Sequence, residues 1–305
     1  MASMSRETAS HIPTVTEPPS RAEFLENHVH PERPLLIKGL AKDWPAREKW
    51  SLDRLRADLH NHPKVKDRGV FFVSKKPVLQ DDIVMPDFLE GILKSDDVMP
   101  DSIAWRFWIN KKHNKTVFHY DTNAENVITV QVKGCKEWVL VSPDTPLPSY
   151  PFTNFTLLKD EAKLLRNKEA YTFDLEEGDL LYVPPLWFHR AVAKEEVNIN
   201  INWTFTKKAT SVVTREFRRE TERCDLLHTF KTSKSALVRG AYGMAIKALP
   251  NVGGIGWGLK SFVASPYRPS RTALTGRFFK ELFQIPGTLM TLPAVRATLK
   301  KVDKT

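Results

Sequence analysis

The chain has 305 residues, of which 41% are hydrophobic and 27% charged, with only two cysteines, Cys135 and Cys224. This is the texture of a globular protein, one large domain with an extension or two modest domains, and it excludes collagen, a mostly disordered chain and a polytopic membrane protein. The net charge of +10 is uneven: residues 207–305 hold 19 Lys and Arg against 6 Asp and Glu, so the remainder is slightly acidic.

Residues 1–18 are polar with scattered prolines and read as a flexible tail. RAEFLENHV predicts a short helix, with Phe24, Leu25 and His28 at helical spacing. PLLIKGL (34–40) predicts a strand closed by glycine. WSLDRLRADL (50–59) predicts a helix capped by Ser51, with Leu52, Leu55 and Leu59 on one face. GVFFVS (69–74) predicts a strand, and MPDFLEGIL (85–93) a helix with Pro86 near its start.

From about 102 to 206 the pattern is strand after strand: SIAWRFWIN, TVFHYD, NVITVQVKG, KEWVLVSP, EAYTFDLEEGD, DLLYVPP, HRAVAKEE and VNININWTF. In the last of these the isoleucines fall on one side and Asn198, Asn200 and Asn202 on the other. No helix of crossover length separates the strands. The fold class is therefore mainly β with flanking helices, a barrel or jelly roll over 19–206. Residues 207–305 form a basic, mostly helical C-terminal extension, with helical spacing in 212–230, 233–249, 270–283 and 292–302.

His119-Tyr120-Asp121 carries the chemistry. On a strand, residues i and i+2 point the same way, so His119 and Asp121 reach one ion while Tyr120 faces away. A second histidine, His189, follows Leu-Leu-Tyr-Val-Pro-Pro and completes the set if its strand lies alongside. Two imidazoles and one carboxylate on one face, with open positions, suit a non-haem Fe(II) that binds a co-substrate and O2. Lys136 lies 17 residues after His119 in an apolar strand. A lysine buried there needs an anionic partner, and a carboxylate of 2-oxoglutarate is a suitable one. Thr116, three residues before His119, adds a hydroxyl donor.

The run FWINKKHNKTVFHYDTNAENVITVQVKGCKEWVLVSP, then LEEGDLLYVPPLWFHRAV and NININWTF, resembles the JmjC and cupin-like oxygenases. RPLLIKGLAKDWPAREKWSLDRLRADL is similar to the N-terminal part of that family, so the likeness covers about 20–206. The resemblance implies a double-stranded β-helix that uses Fe(II), 2-oxoglutarate and O2. It implies His119, Asp121 and His189 as catalytic iron ligands, and Lys136, assisted by Thr116, as the partner of the co-substrate's distal carboxylate. It places Asn202 near the co-substrate and maps a second amide onto Asn126. The 17-residue separation of His119 and Lys136 matches the branch that hydroxylates lysine or arginine side chains.

The function implied is hydroxylation of a protein side chain or a small molecule, with succinate and CO2 as co-products. The alternatives are N-methyl demethylation by the same chemistry, tRNA-base hydroxylation, and a catalytically silent cupin-like binding module. The basic extension is read as a helical appendage or homodimer contact, or as a platform for RNA or an anionic membrane surface. No run of 18 apolar residues predicts a transmembrane span, and the N-terminus lacks the pattern of a secretory leader. The cysteine count fits a reducing, cytoplasmic compartment.

Overall fold

The computed structural model describes residues 11–58, 69–72, 77–98, 103–121, 125–143, 145, 147, 155–156, 158–159, 161–166 and 170–207. The helices expected in the basic extension lie outside these residues. So does any dimer, RNA or membrane contact it makes.

Two sheets face each other. The larger has the order β1 (Thr14–Val15), β2 (Leu35–Ile37), β10 (Leu180–Val183), β6 (Asn126–Lys133), β12 (Asn198–Phe205), β4 (Ala104–Asn110) and β3 (Gly69–Phe72). The smaller has the order β8 (Phe155–Thr156), β5 (Phe118–His119), β11 (Phe188–Ala193), β7 (Lys136–Val141) and β9 (Ala170–Leu175). All strand pairs are antiparallel except β1 with β2. This is the expected jelly-roll core.

Alternation along each strand makes three apolar layers. Leu36, Val127, Leu181 and Val183 of the larger sheet meet Trp138, Leu140, Leu175 and Ala191 of the smaller one between the sheets. The opposite face of the larger sheet carries Ile128, Val130, Ile199, Ile201 and Trp203. Helices α1 (Arg21–Phe24), α2 (Pro45–Lys49), α3 (Leu52–Asp58), α4 (Pro77–Gln80) and α5 (Asp87–Leu93) contribute to the core on that face. The outer face of the smaller sheet packs Phe118, Tyr120, Val139 and Phe188 against α6 (Glu161–Arg166). None of these helices is long and apolar enough to cross a membrane.

Several local expectations are met. Ser51 accepts a hydrogen bond from the Arg54 backbone N–H (3.1 Å), as a cap does. Pro86 stands one residue ahead of α5, at its N-cap. RAEFLENHV is helical, but its second half, Leu25–Val29, winds as a π-helix. One expectation is corrected: residues 11–18 are not a loose tail. Thr14 and Val15 pair with Leu36 and Ile37, and Ile12 is buried between the sheets.

The turns that close the lower end of the cup are specific. Gly134 joins β6 to β7 at φ +73°, and a Cβ there would collide with the Val197 carbonyl oxygen. Asp179, in the Glu-Glu-Gly-Asp turn before β10, accepts from the Gly39 backbone N–H (2.9 Å) and pairs with Lys38 (2.5 Å).

Candidate metal centre

The antiparallel pairing of β5 and β11 sets His119 directly opposite His189. Their ring centroids are 4.3 Å apart. Asp121 follows His119 by two residues and shares its side of the chain, and its Oδ2 lies 3.5 Å from His189 Nε2. Ligand atoms of all three residues fall within 4.8 Å of one another. Tyr120 points the other way, fully buried, with its ring edge-on to Phe188 at 5.2 Å.

Both imidazoles are oriented by the same local device. His119 Nδ1 lies 2.8 Å from the Val117 carbonyl oxygen, and His189 Nδ1 lies 3.0 Å from that of Trp187. A proton on each Nδ1 leaves Nε2 with its lone pair free for a metal. Burial, and next the neighbouring His119, push His189 down to about 4, with Asp121 opposing. The ring is therefore neutral above that pH, which is the form that ligates. Trp138 stacks on His189 at 5.8 Å and 30°.

Lys136 enters the cup from β7 and is buried. Its Nζ donates to Asn110 Oδ1 (2.6 Å) and to Asn200 Oδ1. Among the described residues no carboxylate pairs with it. Burial alone lowers it from 10.5 to about 7. The buried indole N–H groups of Trp108 and Trp138, both at inward-facing strand positions, have no hydrogen-bond partner among the described residues. A buried ammonium, unmatched indole donors and a His-Asp-His set in one cup fit iron together with an acceptor-rich dianion such as 2-oxoglutarate.

The remaining sequence-predicted residues divide. Asn202 faces the interior, where its Oδ1 accepts from Thr129 Oγ1 (2.9 Å) and Asn200 Nδ2 (2.6 Å). Thr116 Oγ1 accepts from the Ala191 backbone N–H (2.8 Å) at the strand edge beside His189. Asn126 is not brought to the site. It lies on the helix-covered face with Ile128 and Val130, accepts from the Tyr182 hydroxyl (2.8 Å) and donates to the Phe205 carbonyl (3.2 Å). Trp203 and Tyr182 belong to that outer core as well. Trp138 instead lies between the sheets, stacked on His189.

Two residues were missed by sequence reasoning. Asn110 holds Lys136, and it could have been found from the inward alternation of Trp108 and Asn110. Glu125 precedes β6 by one residue. Its carboxyl is pushed up to about 7 by burial and then by Asp121, with Arg106 opposing, so it lies close to the metal end.

Residues 72–211 match the family model of the cupin-like domain. The arginine-specific demethylase JMJ22 of Arabidopsis thaliana is 24% identical over 250 residues, spanning 67% of this chain and 48% of that protein. The human bifunctional peptidase and (3S)-lysyl hydroxylase JMJD7 is 24% identical over 269 residues, spanning 64% of this chain and 84% of that protein. The chain carries a cupin-like domain and is similar to JmjC-domain demethylases and hydroxylases. Human tRNA wybutosine-synthesizing protein 5 is 33% identical over 136 residues, 42% of this chain and 40% of its own length. The chain spans about half the length of JMJ22, the first of these relatives.

Proposed function

We propose that the chain is an Fe(II)- and 2-oxoglutarate-dependent oxygenase that hydroxylates a lysine or arginine side chain of a protein. The observation that carries this reading is the pairing of His119, Asp121 and His189 with a buried Lys136 that no carboxylate among the described residues meets, in one cup. Relatives named as an arginine demethylase and a lysyl hydroxylase support the substrate class, as does the spacing of His119 and Lys136.

Iron and 2-oxoglutarate, when bound, supply the oxidation of a C–H bond by O2, releasing succinate and CO2. His119, Asp121 and His189 would hold the iron from one side and leave its other positions open. Lys136 would neutralise the distal carboxylate, and the Asn202 amide would donate beside it. Trp138 and Leu140 line the inter-sheet core beside the site and exclude water from it. The outer apolar layers hold β5, β7 and β11 rigid, so the three ligands meet without a large rearrangement.

The test is succinate formation by the purified chain supplied with Fe(II), 2-oxoglutarate and O2, alone and with lysine- or arginine-containing peptides. His189→Ala is expected to abolish it, and undiminished succinate in that variant overturns the reading. A hydroxylated peptide supports hydroxylation. Formaldehyde release from an N-methylated peptide instead assigns the demethylase outcome, and no succinate at all leaves a binding module.

A further inference from the structure

The Lys136 ammonium has three protons, and two are already committed. One goes to Asn110 on β4 and one to Asn200 on β12, so a lysine rooted in the smaller sheet is gripped by amides of the larger one. The Asn200 amide is itself fixed: its Nδ2 donates to Thr129 Oγ1 (3.1 Å) and to Asn202 Oδ1 (2.6 Å). Thr129 donates its hydroxyl proton to the same Asn202 oxygen (2.9 Å). With that oxygen doubly engaged, the Asn202 amide is turned so that its N–H groups are left over. The row therefore runs from ammonium to amide to amide with donors spare at both ends, the third Lys136 proton and the Asn202 NH2.

The grip is made of neutral acceptors. An aspartate at either asparagine position would hold the lysine more strongly, yet would also cancel the charge that a ligand needs. Amides fix the position of the ammonium and leave its charge available. From this we propose that Asn110 and Asn200 are positioning residues for the co-substrate: they hold the Lys136 ammonium at one depth and thereby make the cup selective for the chain length of a 2-oxo diacid. The inference rests on the reading that Lys136 receives the distal carboxylate. The other residues paired beside Lys136, Leu175 on β9 and Ala193 on β11, are apolar and offer no substitute for the amides.

The experiment measures binding, not turnover. The full chain is loaded with Mn(II) under anaerobic conditions and titrated with 2-oxoglutarate, or with the one-carbon-longer 2-oxoadipate, by isothermal calorimetry. Asn200→Asp is expected to raise the melting temperature and to weaken 2-oxoglutarate at least 10-fold. Asn110→Ala is expected to lower the preference for 2-oxoglutarate over 2-oxoadipate at least 5-fold. A pH series adds a readout that a packing role does not move. Because burial brings Lys136 to about 7, wild-type affinity falls as pH rises from 7 to 9, while Asn200→Asp keeps the ammonium protonated and flattens the profile. If Asn200→Asp fails to fold, Asn110→Asp reaches the same ammonium from β4 and carries the same expectation. Wild-type affinity and length preference in the Asp and Ala variants would overturn the positioning role while leaving the oxygenase reading intact. A wild-type protein that binds Mn(II) but no 2-oxoglutarate at any pH would overturn both.

Discussion

Lys136→Met removes the ammonium while keeping a flexible apolar stem of similar length. In the folded chain the ammonium's pKa is about 7, against an ordinary value of 10.5. That difference of about 3.5 units corresponds to a burial cost on the order of 5 kcal/mol for the charged form. Below pH 7 both folded and unfolded chains carry the proton. Between about 7 and 10.5 the folded chain has released it and the unfolded chain still holds it. Stability contributed by this group therefore rises with pH across that window, by up to about 1.4 kcal/mol per unit. Lys136→Met lacks the slope, while every other titrating group is common to both proteins. Losing the donor to Asn110 and Asn200 adds a penalty that does not vary with pH. Urea denaturation at pH 7.5, 8.5 and 9.5 is expected to show wild type gaining on the variant by about 2 kcal/mol over the series. Saturating 2-oxoglutarate with Mn(II) is expected to shrink that gain, because a carboxylate partner stabilises the protonated form. Parallel pH profiles for the two proteins would refute the buried ammonium, held by neutral amides, on which the co-substrate reading stands.

Asp121→Ala removes one of the three proposed ligands and is expected to weaken Mn(II) binding by roughly 100-fold or more, followed by electron paramagnetic resonance of free Mn(II). Its folding stability should change little, since the Asp121 side chain is 30% exposed. Gly134→Ala meets both a left-handed backbone and the Val197 carbonyl. It is expected to destabilise by more than about 1 kcal/mol in chemical denaturation. Asp82→Ala strips the buried carboxylate that accepts from the Trp50 indole N–H (3.0 Å), Lys49 (2.8 Å) and Arg54 (3.0 Å). Both cations are partly exposed and recover water, so the loss is expected near 1–3 kcal/mol, with the succinate yield per folded molecule unchanged.

Short-range pattern was legible in the sequence because it depends on neighbours along the chain. Alternation in β12 separated Ile199 and Ile201 from Asn200 and Asn202, and the structure buries the two sets in different layers. The i,i+2 relation aimed His119 and Asp121 together and Tyr120 away. Short helices such as Pro45–Lys49 and Glu161–Arg166 were not read, since five or six residues complete too few turns to show a period. A strand of two residues, Thr14–Val15, gives no alternation at all and is formed only because Leu36 and Ile37 offer an edge.

What the tertiary structure decided was register and partnership. His189 lies seventy residues beyond His119, and only the pairing of β5 with β11 puts them opposite each other. One residue's difference sends Asn126 to the outer core, since neighbours on a strand face opposite sides. The sequence could require an anion for Lys136, but that Asn110 and Asn200 hold it was decided by two sheets closing on each other. Residue type and local period set what each side chain can do. Contacts between strands distant along the chain set what it meets, and the chemistry of this cup lies in those contacts.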